Sequence, residues 1–125
     1  MIKADLIHLS TNMWSDNQKW PTNTAPCAET INFAPDFCFD EDFWHALAAR
    51  MANAGFNMVV FDVGDAVKYK SHPEIAVKGA WTPAKLKHEL AACRKQGLEP
   101  IPKLNFSAGH DAWMGAYSRM VSTKK

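Results

Sequence analysis

Long apolar stretches are missing from this chain. Its longest runs, of which Met58 to Phe61 is one, hold four residues, far short of the roughly 20 that a membrane-crossing helix needs. The N-terminus, MIKADLIHLS, has neither the extended apolar core nor the cleavage pattern of a secretory signal. The chain therefore reads as soluble, with any targeting segment already removed. An excess of one charge is missing too: 14 Lys and Arg face 13 Asp and Glu, and both signs are spread along the sequence. Nucleic-acid binding rests on a basic surface that neutralises phosphates. Neither nucleic acid nor a membrane is expected as a partner.

Cysteine is sparse. Cys27, Cys38 and Cys93 form no CxxC pair; a Cys27–Cys38 bridge is conceivable, but an odd count without a framework points to reduced thiols. The glycine-rich and histidine-rich signatures are absent as well. No GxGxxG, GxxxxGKS, HExxH or GxSxG occurs, so phosphate cradles, zincin helices and the hydrolase nucleophile elbow have no support, and no cofactor is expected.

What is present suits one globular domain. A chain of 125 residues with 47% hydrophobic and 22% charged content can build a single core and not two ordinary ones. Ile2 to Leu9 reads as a first strand. Residues 10–40 then form a long irregular stretch rich in Asn, Thr, Pro and aromatics, and loops of that length are usually functional. Asp40 is a good N-cap for EDFWHALAARMANAG, where Phe43, Trp44, Leu47, Ala48 and Met51 recur at helical spacing before Gly55. Next comes FNMVVFDVGD, whose continuous apolar centre is typical of a strand covered on both faces.

The plan then repeats. Thr82 caps and Pro83 takes the first helical position. The helix TPAKLKHELAACRKQG places Leu86, Leu90 and Cys93 on its inner face and Lys85, Lys87, Glu89 and Arg94 largely outside, ending at Gly97. LEPIPKLNF is the third strand, and Asp111 is a candidate cap for a further helix, DAWMGAYSRM. Strand, helix, strand, helix, strand predicts α/β with a parallel sheet.

In such sheets ligands gather where the strand-to-helix loops converge, at the C-terminal strand ends. The polar clusters fall there: Ser10, Asn12, Trp14 and Asp16; then Asp62, Asp65, Tyr69, His72 and Glu74; then Asn105, His110, Asp111 and Trp113. Each has two readings. Asp62 and Asp65 are paired carboxylates, or a strand end and a turn. His72 and Glu74 flank Pro73 and are rim residues or an extended surface loop. His110 with Asp111 is an imidazole and its orienting carboxylate, or a loop residue beside a cap. Lys103 sits inside a strand and calls for an ionic partner or a function, because an unpaired buried ammonium is costly. Trp81 and Trp113, with Trp14 and Trp20, are sugar-stacking rings or core anchors. A metal site from Asp62, Asp65, His72 and His110 is a further reading, that of a metal-dependent barrel hydrolase.

SHPEIAVKGAW, residues 71–81, followed after one helix by PIPKLNFSAGHDAW, resembles the catalytic barrel of family 20 glycoside hydrolases, the beta-N-acetylhexosaminidases. That family has a tyrosine, proline, glutamate, leucine loop running into glycine, alanine, tryptophan, then a strand reading roughly PEIDMPGH. The likeness covers about residues 40–113, and the whole chain looks like the opening part of bacterial barrel proteins distantly similar to glycoside hydrolases. The resemblance implies a partial (β/α)8 TIM barrel of about three parallel strands with two to three helices. It implies a carbohydrate ligand held by Asp62, Asp65, His72, Glu74, Trp81, Lys103, Asn105, His110, Asp111 and Trp113.

The sequence departs from that pattern in ways that bear on chemistry. Lys103 stands where the family has glutamate, Asn105 where it has aspartate, and DLIHLSTNMW lacks the arginine of the family's first strand. The aspartate–glutamate pair that orients the acetamido group and protonates the leaving oxygen belongs to a later strand than any here. The expectation is a sugar-binding wall without the catalytic acid, completed by the rest of the barrel or by self-association. A non-catalytic binding module is the alternative.

Overall fold

A computed structural model describes residues 1–12, 34 and 36–104 of the 125. Three strands, β1 (Ala4–His8), β2 (Met58–Asp62) and β3 (Glu99–Lys103), form one parallel sheet in the order β1-β2-β3. Two helices, α1 (Glu41–Asn53) and α2 (Pro83–Lys95), connect them. The class is α/β, as the alternating pattern predicts.

Both helices begin where a side chain can satisfy backbone N–H groups that no preceding turn serves. The Asp40 side chain accepts from Phe43 N at 2.8 Å, with Glu41 and Asp42 favouring the positive end of the helix. Thr82 accepts from Lys85 N at 3.1 Å, and Pro83 follows it. Both also end alike. Phe56 N donates to Met51 O and Gly55 N to Ala52 O; Leu98 N donates to Cys93 O and Gly97 N to Arg94 O. These are Schellman closures, which need a left-handed residue, and Gly55 and Gly97 supply it at φ +83° each. The repeated helix endings seen in the sequence thus launch β2 and β3 by the same device.

Alternation along β2 divides the sheet's two faces. Val59 and Phe61 point to the helices and are fully buried, and Trp44 of α1 packs edge-on against Phe61 with centroids 5.0 Å apart. Ala48, Met51, Cys93 and Leu98 extend this core. The opposite face carries Leu6, Val60 and Ile101 as register partners, and Leu6 and Ile101 stay 42% and 38% exposed. Among the described residues, nothing packs a second layer of helix on it.

One expectation for α2 is overturned. Glu89, assigned to the solvent side with the other charges, is 0% exposed. Its carboxylate is held between helices, with Lys85 Nζ 2.9 Å from Oε1 and His45 Nε2 2.8 Å from Oε2. Lys85 also donates to Glu41 Oε2 at 2.7 Å, and Glu41 Oε1 accepts from Trp81 Nε1 at 3.3 Å. Burial alone would raise the Glu89 pKa, but the Lys85 and His45 hydrogen bonds outweigh it and hold the carboxyl below its ordinary value. Most of the 10–40 stretch, Cys27 and the candidate helix after Asp111 lie outside the described residues. No helix among the described residues is long and apolar enough to cross a membrane.

Candidate functional site

Parallel pairing places His8, Asp62 and Lys103 in one row, since Asp62 is the register partner of both. Asp62 follows the helix-facing Phe61, so the row lies on the opposite face at the C-terminal end of all three strands. Asp62 is fully buried. Lys103 Nζ donates to its Oδ2 at 2.8 Å, and His8 Nδ1 lies 3.3 Å from the same oxygen. Lys103 therefore has the ionic partner its place inside a strand called for.

Three residues on, Asp65 is 3% exposed. Its Oδ2 accepts from Asn12 Nδ2 at 2.8 Å. Asn12 does more than this: Nδ2 also donates to Ala34 O at 2.7 Å, and Oδ1 accepts from Ala34 N at 2.6 Å. The side-chain amide thus pairs with a residue 22 positions away as one strand residue pairs with another. It ties the loop after β1, the approach to α1 and the turn after β2 together.

Tyr69 closes the turn by donating to Gly64 O at 2.8 Å. Burial pushes its phenol up to about 12, and the nearby charges of Asp65 and Asp62 push the same way. Asp62 and Asp65 share one more property: each uses Oδ2 for its protein partners, while Oδ1 is buried with no hydrogen-bond partner among the described residues. A buried polar atom without a donor costs about 1–3 kcal/mol, and two of them, at the end of β2 and in the turn after it, make this stretch a candidate site.

The other sequence-derived candidates are distributed differently. His72 and Glu74 are exposed and pair with each other, His72 Nδ1 to Glu74 Oε1 at 2.9 Å, around the 3-10 turn Pro73–Ile75. A backbone hydrogen bond, reinforced by His72, lowers the Glu74 pKa. Trp81 is 4% exposed and belongs to the core, edge-on to Phe37 and Phe39. Its surroundings are those of an anchor. Asn105, His110, Asp111 and Trp113 lie outside the described residues. Among the described residues, no group of three or more His, Cys, Asp or Glu side chains could hold a metal ion.

The sequence does not single out His8, and it places Asn12 in the rim cluster after the first strand without pointing to its partner. Strand register alone brings His8 to Asp62, and only the folded loops bring Asn12 to Asp65. Compared with known proteins, the chain matches no family model and no curated sequence. Fold and site together define an α/β chain with one three-stranded parallel sheet and a buried, partly charge-paired acidic cluster at its C-terminal edge.

Proposed function

We propose that this chain is one wall of a (β/α)8 barrel that binds carbohydrate, a glycoside hydrolase in its complete form. The observation that carries the reading is the pair of buried carboxylates, Asp62 at the end of β2 and Asp65 in the turn after it, each with one oxygen lacking a donor among the described residues, on the side where such folds bind ligands. Sugar hydroxyls are donors of the kind these oxygens need. Lys103 makes the cluster less anionic than two bare carboxylates, which suits a neutral polyol better than a cation. The motif likeness of residues 71–81 and 100–113 to family 20 glycoside hydrolases supports the same class.

Asp62 acts as an acceptor anchored by Lys103, and Asp65 as an acceptor anchored by Asn12. Neither is arranged as the proton donor that glycoside cleavage requires. Turnover belongs to the complete barrel and sugar binding to this wall. The test is a titration with glucose, mannose and N-acetylglucosamine read by tryptophan fluorescence. A saturable change that weakens at least about tenfold in Asp65→Asn supports the reading, since losing an acceptor for a ligand hydroxyl removes about 1.4 kcal/mol or more. No saturable change with any of the three sugars refutes it.

A second reading is a self-assembling half-barrel module. The exposed row of Leu6 and Ile101 on the open sheet face favours it, because that row is one a second layer would bury. A mass of twice the monomer in solution, lost in Leu6→Lys, is its expected signature. A monomer at all concentrations rejects it.

A further inference from the structure

We propose that the cavity of mixed polar and apolar lining between the end of β1 and the segment leading into α1 is a subsite for a neutral monosaccharide unit, an inference that rests on the carbohydrate reading above. The cavity has a volume of about 100 Å³ and is lined among others by His8, Ser10, Thr11, Asp36, Phe37 and Cys38. Water occupies about 30 Å³ per molecule, so the space holds about three waters. That matches an exocyclic hydroxymethyl group or one edge of a sugar ring.

The lining chemistry selects the class. Two hydroxyls and a carboxylate offer hydrogen bonds to alcohol groups, and Phe37 offers an apolar surface to C–H groups. An apolar ligand would strip water from Ser10, Thr11 and Asp36 without replacing its hydrogen bonds. A phosphate or carboxylate ligand would meet the charge of Asp36. A neutral polyol satisfies both kinds of surface.

The walls are set before any ligand arrives. Phe37 stacks on Phe39 with centroids 5.7 Å apart and meets Trp81 edge-on, while its backbone N donates to Lys78 O at 2.8 Å. Ser10 Oγ accepts from Asn12 N at 3.3 Å. Asp36 lies 3.5 Å from Lys78 Nζ. His8 belongs to both the cavity and the Asp62 row, so the subsite adjoins the acidic cluster and is distinct from it.

Cys38 gives a direct readout. It is an exposed free thiol that lines the cavity, whereas the Cys93 thiol is buried and pushed up to about 11, which leaves it unreactive near neutrality. In a Cys27→Ser protein, iodoacetamide labelling of Cys38 is followed with and without glucose or N-acetylglucosamine, with inorganic phosphate as a control. Labelling should slow about tenfold at a sugar concentration ten times the dissociation constant, because only unliganded protein reacts. Thr11→Val and Phe37→Ala, checked for folding by circular dichroism, should reduce the protection. Full-rate labelling while tryptophan fluorescence still reports saturable sugar binding overturns the subsite and leaves the carbohydrate reading standing. Full-rate labelling with no fluorescence response overturns both. Equal protection by phosphate also overturns the subsite.

Discussion

Lys103 Nζ and Asp62 Oδ2 meet at 2.8 Å from adjacent strands, with the carboxylate fully buried and the lysine side chain 36% exposed. The pair lies between two well-measured regimes. Surface pairs contribute at most about 1 kcal/mol, while stranding one partner of a fully buried pair costs about 3–5 kcal/mol. Lys103→Met should destabilise the protein by about 2–3 kcal/mol in urea unfolding, an intermediate figure between those limits. Adding Asp62→Leu should restore part of the loss, since the stranded charge disappears. Simple additivity of the two substitutions would show that the pair is not coupled.

Glu89 sets an acid limit on stability. Its folded pKa lies below the usual 4.5, so its stabilisation is complete above that value and is lost as pH falls through the folded pKa. Lys85, raised above 10.5 chiefly by its hydrogen bonds to Glu41 and Glu89, works in the opposite sense. Its contribution is complete below 10.5 and is lost as pH rises through the folded value. Urea midpoints measured from acid to alkaline pH should fall at both ends, and Glu89→Gln should flatten the acid limb. An unchanged acid limb in that variant would falsify the assignment.

Tyr69 reports on the acidic cluster without any ligand. Its phenol should ionise near 12 in an ultraviolet titration, and Asp65→Asn should lower that value by only part of the shift, because burial is the larger cause. Tyr69→Phe should remove the high-pH ionisation. If Asp65→Asn leaves it in place, the carboxylate does not act on the phenol.

The buried Cys93 tests the packing between α2 and the sheet. It is 2% exposed and belongs to the same core as Leu98, which is fully buried. Native protein should leave this thiol unmodified by Ellman's reagent, with full reaction in denaturant. Leu98→Ala should cost about 2–5 kcal/mol as a core truncation and should open Cys93 to the reagent at a rate set by local unfolding.

Much of the scaffold was legible in the sequence because its signals are local. Asp40, Thr82 and Pro83 announce the helix starts, and Gly55 and Gly97 the ends, since each acts on backbone groups within a few residues. The partner of Lys103 was legible only as a need. Which residue met it depended on strand register, set by residues about 40 positions away. Glu89 departs from the expectation for a related reason: helical periodicity puts Lys85 and Glu89 on one face as an i,i+4 pair, but Glu41 and His45, which complete the cluster from α1, do not show in that pattern. Trp81 illustrates the limit for aromatics, because stacking on a ligand and anchoring a core use the same ring. The same holds for Asp62 and Asp65, whose sequence reads as a strand end and a turn or as a site, and whose burial is not written in either pattern.

Asn12 has a consequence for how this chain can diversify. By pairing both polar atoms of its side chain with Ala34, it pins positions 12 and 34 at a common base. The 21 residues between them begin and end at one fixed hinge point. Closing a longer insertion there costs little, about 0.6 kcal/mol per doubling of length. Added length between positions 12 and 34 should therefore cost the fold little, while the hydrogen bonds of Asn12 to Ala34 and Asp65 hold the turn after β2 in place.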